Sequence, residues 1–302
     1  MKSLPKLVIF GDPKKGLVAE AIEGFVGYVK GKARILATYH IEKPKNNSAD
    51  AAEPASAPRI ADMLNECDFA VVFGGDGSII SAARNLSEAS VPVIGVNLGK
   101  LGFLAEFSIA ELKESFDDII SGKATIEKRM VLGCKVLSDG REKFNSAAIN
   151  DVFITAGPPF RMIELKISVD GQLLAGCVSD GLIISTPTGS TAYNLSAGGP
   201  IVSPKMEAIV VTPICPHSLS FRPIVINADS TVEIFGVSVN KGTTVSIDGQ
   251  VSSRLSAADV VRVARQKGDF LIVNNPVRSQ WDTLATKLSW AEKPKYKGDY
   301  VV

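Results

Sequence analysis

The stretch Asp68-Phe69-Ala70-Val71-Val72-Phe73-Gly74-Gly75-Asp76-Gly77-Ser78-Ile79-Ile80-Ser81-Ala82-Ala83-Arg84 decides how the rest of the chain is read. Phe69 to Phe73 is a short continuous apolar run, as in a buried strand, and Ile79 onward carries helix-forming residues. A carboxylate, Asp76, therefore sits among glycines at a strand-to-helix turn. Glycine lets the backbone turn sharply and approach a ligand closely. A helix start offers N–H groups and a positive dipole end that suit phosphate. One acid aimed at such a site is unfavourable unless it has a task, and taking the proton of an attacking hydroxyl is one.

Outward from this turn, strand and helix signals alternate. Lys6–Phe10, Arg34–His40 and Val91–Val96 read as further strands. Leu17–Lys30, with Val18, Ile22, Phe25, Val26 and Val29 at helical spacing, reads as a helix, as do Ile60–Asn65 and Ile109–Ile120. Such alternation predicts an α/β domain with a parallel sheet over residues 1–128. Ligands of these sheets bind outside the carboxyl ends of the strands, where both the Gly74–Gly77 turn and Asn97-Leu98-Gly99-Lys100-Leu101-Gly102-Phe103 fall. The segment Glu42–Pro58 is poor in apolar residues and reads as a surface loop.

Beyond about Arg129 the texture becomes β-rich. Leu132–Leu137, Ala147–Thr155, Ile163–Val169, Leu182–Ser185, Ala208–Thr212, Ile224–Ile226, Thr231–Val239, Thr243–Ile247 and Val260–Arg265 read as strands. They predict a sandwich-like β domain over residues 129–275. Gln280–Trp290 reads as a helix, and the tail 276–302 is expected to pack back on the first domain.

Composition narrows the function classes. The 302 residues hold 33 Lys and Arg against 32 Asp and Glu, so no general attraction to nucleic acid or anionic membrane is expected. Cys67, Cys134, Cys177 and Cys215 are scattered, which argues against a structural zinc site and fits a reducing compartment. The apolar run after Met1-Lys2-Ser3-Leu4-Pro5-Lys6 is too short for a signal peptide, and none reaches membrane-spanning length, so the cytoplasm is expected.

Two generic motifs fail. Gly11-Asp12-Pro13-Lys14-Lys15-Gly16 has P-loop glycine spacing but continues with Leu17-Val18. Gly75-Asp76-Gly77 begins like a dinucleotide fingerprint but lacks the third glycine. With only His40 and His217, a Ser-His-Asp mechanism has little to work with.

Two further stretches carry chemistry. After the strand ending at Pro187, Thr188-Gly189-Ser190-Thr191 supplies hydroxyls and amides that can cap a helix or hold an oxyanion. Tyr193 offers a flat face for a base, with Ser196 one turn beyond Ala192, although a capped helix stopped at Gly198-Gly199 explains the pattern equally well. Asn150-Asp151 has the donors and acceptors to read a ribose diol and a base edge, provided that a bulge or strand end lets both face one ligand. Taken alone, surface polarity explains that pair, and Asp248-Gly249-Gln250 is most simply a hairpin turn.

Together these stretches resemble one family, the NAD kinases. The matching residues are Gly74-Gly75-Asp76-Gly77, Asn97 to Leu104, Asn150-Asp151, Asp180-Gly181, Thr186-Pro187-Thr188-Gly189-Ser190-Thr191-Ala192-Tyr193, Ser196 to Pro200, Thr212 to His217 and Asp248-Gly249-Gln250. The first element is shared with lipid, sphingosine and phosphofructokinase-like enzymes; the Thr-Gly-Ser-Thr-Ala-Tyr element is far more specific. The resemblance implies a site between the two domains and phosphoryl transfer from ATP to the 2′-hydroxyl of the adenosine ribose of NAD. It implies Asp76 as the catalytic base. It implies NAD contacts from Asp76, Gly77, Phe103, Asn150, Asp151, Asp180, Thr188, Ser190, Thr191, Ala192, Tyr193, Ser196 and Gln250, and ATP phosphate contacts from Gly74, Gly75, Gly77 and Ser78. Mg²⁺ or another divalent metal would arrive with ATP, without a dedicated protein cage. A homodimer or homotetramer is expected, with Asp180 near the nicotinamide end across a subunit boundary. The chain departs from the family's usual Asn-Glu at Asn150-Asp151, and from its frequent Asn-Pro at Asp12-Pro13. The alternatives are a lipid or sugar kinase sharing the glycine turn, and a non-catalytic NAD-binding module.

Overall fold

The computed structural model describes residues 3–41, 63–86, 89–99 and 102–290. The expected loop at 42–58, Lys100, Leu101 and the tail from 291 lie outside the described residues, as does most of the helix expected at 60–65.

Strand β1 (Lys6–Gly11), helix α1 (Gly16–Val29) and strand β2 (Arg34–His40) open the chain. α1 turns Val18, Ala21, Phe25 and Val29 inward, one stripe at helical spacing. Then come β3 (Phe69–Phe73), helix α2 (Asp76–Leu86), β4 (Val93–Val96), helix α3 (Ile109–Ile120) and β5 (Ile126–Arg129). Strands β2, β1, β3 and β4 are parallel neighbours in that order. The chain leaves β1 for one side of the sheet and returns as β3 on the other. That reversal is where an α/β sheet opens a crevice, and the glycine turn after β3 stands at its mouth. Phe25 wedges α1 onto this sheet, its ring 5.5 Å from that of Phe73 and 5.7 Å from that of Phe116 in α3. Each such buried aromatic is worth about 2–3 kcal/mol from burial. A Ser108–Glu111 capping box fixes the start of α3.

The second unit begins with β6 (Leu132–Ser138), β7 (Arg141–Ala148), β8 (Asp151–Thr155), β9 (Ile163–Val169), β10 (Gln172–Ser179) and β11 (Gly181–Ser185). A 3-10 turn (Thr188–Thr191) and one turn of α-helix, α4 (Tyr193–Ser196), interrupt the strands. They resume as β12 (Ala208–Ile214), β13 (Ile224–Asn227), β14 (Val232–Ser238), β15 (Thr244–Ile247), β16 (Val251–Arg254) and β17 (Asp259–Arg265). Two antiparallel sheets result, ordered β10-β9-β14-β17-β6-β7 and β13-β12-β11-β8-β15-β16. Their inner faces share one apolar cluster, in which Leu165, Val232 and Val261 join Ile154, Ile184 and Ile209. β9 shows why: Ile163, Leu165 and Ile167 point in while Glu164 and Lys166 point out.

The structure corrects the sequence reading in three places. The strand expected over Ala147–Thr155 is two strands, with β7 in one sheet and β8 in the other, because residues 149–151 give their amides to the Asp248 carboxylate rather than to a ladder. β18 (Phe270–Val273), a strand the sequence reading did not list, falls within the range 129–275 expected for the β-rich unit but inserts between β4 and β5 in the first sheet. The capped helix read between Thr188 and the Gly198-Gly199 stop is a 3-10 turn over Thr188–Thr191, a break at Ala192 (φ −98°, ψ −128°) and then α4.

Helix α5 (Gln280–Leu288), opened by a Ser279–Asp282 capping box, closes the described chain. It lies across both units: Arg278 pairs with Glu111 at 2.6 Å, and Gln280 accepts from the Ser203 hydroxyl at 3.4 Å.

Candidate active site

β3 delivers the chain to Gly74, which has φ +151° and whose added Cβ would lie 2.5 Å from the Ser78 hydroxyl oxygen. Only glycine fits there. Helix α2 starts at Asp76, and its first turn closes on Gly75 O, which accepts from the N–H groups of Ser78 and Ile79 at 2.9 and 3.3 Å. The Asp76 carboxylate itself is not free. One oxygen accepts from Phe103 N–H at 2.8 Å, and the other from the N–H groups of Leu104 and Ala105 at 3.0 and 3.1 Å. The clasp needs Gly102, where an added Cβ would stand 1.9 Å from the carboxylate. The ammonium of Lys287, in α5, lies 4.0 Å from Asp76 and 4.9 Å above the Phe103 ring.

A second carboxylate, Asp248, organises the opposite wall. It occupies the tight turn between β15 and β16 at φ +52° and accepts from the N–H groups of Ile149, Asn150 and Asp151 at 3.1, 2.7 and 3.1 Å. This holds Asn150-Asp151 at the start of β8, the strand end that the pair needs to face one ligand. Asp151 is buried. Burial first, and then the Asp248 charge, push its carboxyl up to about 7, against a bond from the Tyr193 backbone N–H. Burial likewise raises Asp248, offset by the bonds from the Asn150 and Ile149 amides and by the charge of Arg84.

The same turn reaches the first wall. The Gln250 carboxamide donates to Gly77 O at 2.8 Å and accepts from the Arg84 guanidinium of α2. Gln250 was expected to touch NAD; here its side chain ties α2 to the β-rich unit. Sequence pattern gave no sign of Arg84 or Lys287 as parts of the site and read Asp248 only as part of a hairpin turn within a family-like stretch, because each acts on residues distant in the chain.

The Thr186–Gly199 segment divides its labour. Thr186 donates to Ile149 O at 2.7 Å and accepts from Gly189 N–H at 3.0 Å, pinning the segment to the Asn150 corner. Ser190, expected at the ligand, is fully buried and bonds to Pro187 O and the Val202 backbone. Buried Asn194 donates to Ser190 O and Pro200 O and accepts from Thr212, which locks the turn. Thr188 keeps a buried hydroxyl oxygen without a partner among the described residues. Together with Thr191, Phe103 and the Thr283–Leu284 face of α5, it lines a cavity of about 150 Å³. Tyr193 is partly exposed, edge-on to Phe153 at 5.1 Å, and its hydroxyl is within electrostatic range of Asp151, Asp180 and Cys215. Ser196 is exposed, and Ala192 and Asp180 are half-buried.

The structure thus joins Asp76 to Phe103 through the clasp, Gly77 to the Asn150-Asp151 corner through Gln250 and Asp248, and Asp151 to the Tyr193 amide, while Phe103, Thr188 and Thr191 line one cavity. Among the described residues no group of three or more His, Cys, Asp or Glu side chains is assembled for a metal ion, and no helix is long and apolar enough to cross a membrane.

Known proteins resemble this chain in sequence and fold. The family model for the ATP-NAD kinase C-terminal domain matches residues 149–275, and that for the N-terminal domain matches residues 30–124. The chain belongs to the NAD kinases. The NAD kinase of Syntrophotalea carbinolica is 39% identical over 268 residues, covering 89% of this chain and 92% of its own. That of Citrifermentans bemidjiense is 35% identical over 294 residues, covering 96% and 100%. The crystal structure of yeast NADH kinase with NADH superposes with a TM-score of 0.82 at 27% identity, covering 99% of this chain and 91% of the yeast one. An Archaeoglobus fulgidus NAD kinase solved with ATP shares the fold at a TM-score of 0.69 and 21% identity, covering 94% and 98%. The enzyme is an ATP-dependent phosphotransferase acting on NAD. The lipid-kinase, sugar-kinase and non-catalytic alternatives fall away.

Proposed function

We propose that Asp76 takes the proton of the 2′-hydroxyl of the adenosine ribose of NAD as that oxygen attacks the γ-phosphorus of ATP, giving NADP. The observation that carries this reading is the double tether of the Asp76 turn. Its carboxylate is clasped by the amides of residues 103–105, and its Gly77 carbonyl by Gln250, two residues from the aspartate that fixes Asn150-Asp151. A proton acceptor and a diol reader are thereby fixed to one frame, which is what positioning a sugar hydroxyl requires.

Asn150 and Asp151 meet the ribose and base. The base enters the cavity of Phe103, Thr188 and Thr191, where the unpartnered Thr188 hydroxyl waits for a polar edge. Tyr193, Ala192 and Ser196 flank the nucleoside, and Asp180 stands toward the nicotinamide end. Gly74, Gly75, Gly77 and Ser78 receive the triphosphate at the α2 start. The Asp76 carboxylate at that turn already accepts from three amides, so a divalent ion fits as cargo of the triphosphate, where it would neutralise charge on the phosphate oxygens. Phosphoryl transfer is loose, so the base accepts its proton late and need not be strong. A homodimer or homotetramer in the cytoplasm completes the proposal.

The test measures NADP formation from NAD, ATP and Mg²⁺ by the wild type and by Asp76→Asn. A loss of about 10²–10⁴-fold in kcat is expected, with NAD binding retained by calorimetry. Near-normal turnover of the variant rejects the assignment.

A further inference from the structure

We propose that Lys287 is a catalytic residue whose ammonium binds the phosphoryl group in flight; this rests on the reading of Asp76 as the proton acceptor.

A carboxylate has about four acceptor positions. Three of those on Asp76 are filled by backbone amides, and Lys287 lies 4.0 Å from it, too far for a hydrogen bond. As an ion pair the contact is weak, since both side chains are more than a quarter exposed and such pairs are worth about 0–1 kcal/mol. The position of the ammonium, however, is well defined. On α5, residues 280, 283, 284 and 287 share one face. The first three line the cavity with Phe103, Thr188 and Thr191. That face therefore carries Lys287 to the point where the cavity meets Asp76, and the Phe103 ring supports it at 4.9 Å. A cation set beside the proton acceptor at the start of helix α2 stands where negative charge gathers.

The step balances as follows. The 2′-oxygen forms a bond to the γ-phosphorus, and the bond from that phosphorus to the β–γ bridging oxygen breaks. The bond's electron pair leaves on ADP, and the hydroxyl proton passes to the open position of Asp76. Lys287 stays protonated throughout and faces the equatorial oxygens of the transferring group. It leaves Asp76 as the phosphoryl group arrives, which frees the acceptor for the hydroxyl.

Lys287→Met and Lys287→Arg, assayed for NADP formation, test this. A charge that acts on the transition state appears in kcat: removal of one preorganised donor costs about 10²–10³-fold. Lys287→Met should lose about 10²-fold in kcat with KM for NAD within threefold of the wild type, and Lys287→Arg should recover at least tenfold of that loss. Melting temperatures should agree within about 2 °C. A Lys287→Met kcat within threefold of the wild type overturns the proposal. So does a loss carried by KM for NAD, which would mean that α5 only walls the pocket, and so does failure of arginine to recover activity. Asp76→Asn, measured in parallel, keeps the two readings apart: an active Asp76→Asn beside an inactive Lys287→Met removes the base and leaves the cation.

Discussion

Replacing Gly102 by alanine separates the presence of the Asp76 carboxylate from its placement. The new methyl would stand 1.9 Å from one carboxylate oxygen, 2.7 Å from the carboxyl carbon and 3.0 Å from the other oxygen. Ordinary contact begins at 3.4 Å, so the carboxylate or the loop must retreat by about 1.5 Å. The crowded oxygen is the one that accepts from Leu104 and Ala105, and those two bonds would break. Hydrogen bonds to a charged group contribute about 1.5–3 kcal/mol each, and the partial exposure of Asp76 puts these at the low end, about 3 kcal/mol together. A melting temperature several degrees lower is expected. Displacement of a reacting group by about 1 Å costs on the order of 10²-fold in rate, so kcat should fall at least that far although every side chain of the site is still present. Steady-state NADP formation well below the variant's melting temperature measures this, with calorimetric titration of NAD as the control. A Gly102→Ala enzyme that melts lower but turns over within threefold of the wild type would refute the claim that the clasp sets the acceptor's position.

Two more outcomes follow from the opposite wall. The native Asp151 carboxyl holds its proton to about pH 7 while the unfolded one ionises near 3.8, so the native state binds more protons between those values and stability falls as pH rises through that window. Asp151→Asn keeps an acceptor for the Tyr193 amide and loses the charge; its melting temperature should fall less than that of the wild type between pH 5 and pH 8, and identical slopes by scanning calorimetry would contradict the burial argument. Gln250→Ala leaves Gly77 O without its donor and Arg84 without one acceptor, which should lower kcat/KM for NAD about tenfold, a difference of about 1.4 kcal/mol. Gln250→Glu should not restore it, because an oxygen would then face the Gly77 carbonyl, and full activity in that variant would reject the tether.

What could be read in the chain was what local chemistry writes there. An apolar pentamer running into Gly74-Gly75-Asp76-Gly77 has few meanings other than a buried strand ending in a tight turn, and the alternation around it dictates a parallel sheet. The two-residue period of Ile163, Leu165 and Ile167 likewise marks a half-buried strand without help from the fold. The misses have a common cause. Phe270–Val273 is a plain apolar strand, and nothing within it says which sheet it joins. Ser190 sits in a motif rich in hydroxyls, and only packing tells that its own hydroxyl closes a turn while that of Thr188 stays open. Asp248 looks like hairpin chemistry and is that, yet its carboxylate works on amides nearly a hundred residues earlier. Arg84 and Lys287 stand at ordinary helix-surface positions, and their roles arise from the partners that the fold brings to them.

The clasp also answers a difficulty posed by the sequence. A carboxylate beside a triphosphate should repel it, and the repulsion grows as water leaves a closing site. Three N–H dipoles pointed at Asp76, together with the positive end of α2, offset that charge. They also leave the carboxylate one open direction, and Lys287 lies on that side. A base in this setting gains little from strength, because the transition state asks for a proton acceptor late and in one place. What the fold supplies is direction: Gly102 admits the carboxylate, residues 103–105 fix its rotation, and Gln250 fixes the helix that carries it. The ordering of catalytic effects should therefore follow geometry more than charge, so that Gly102→Ala, which leaves every ionisable group intact, costs more than Asp151→Asn, which removes one.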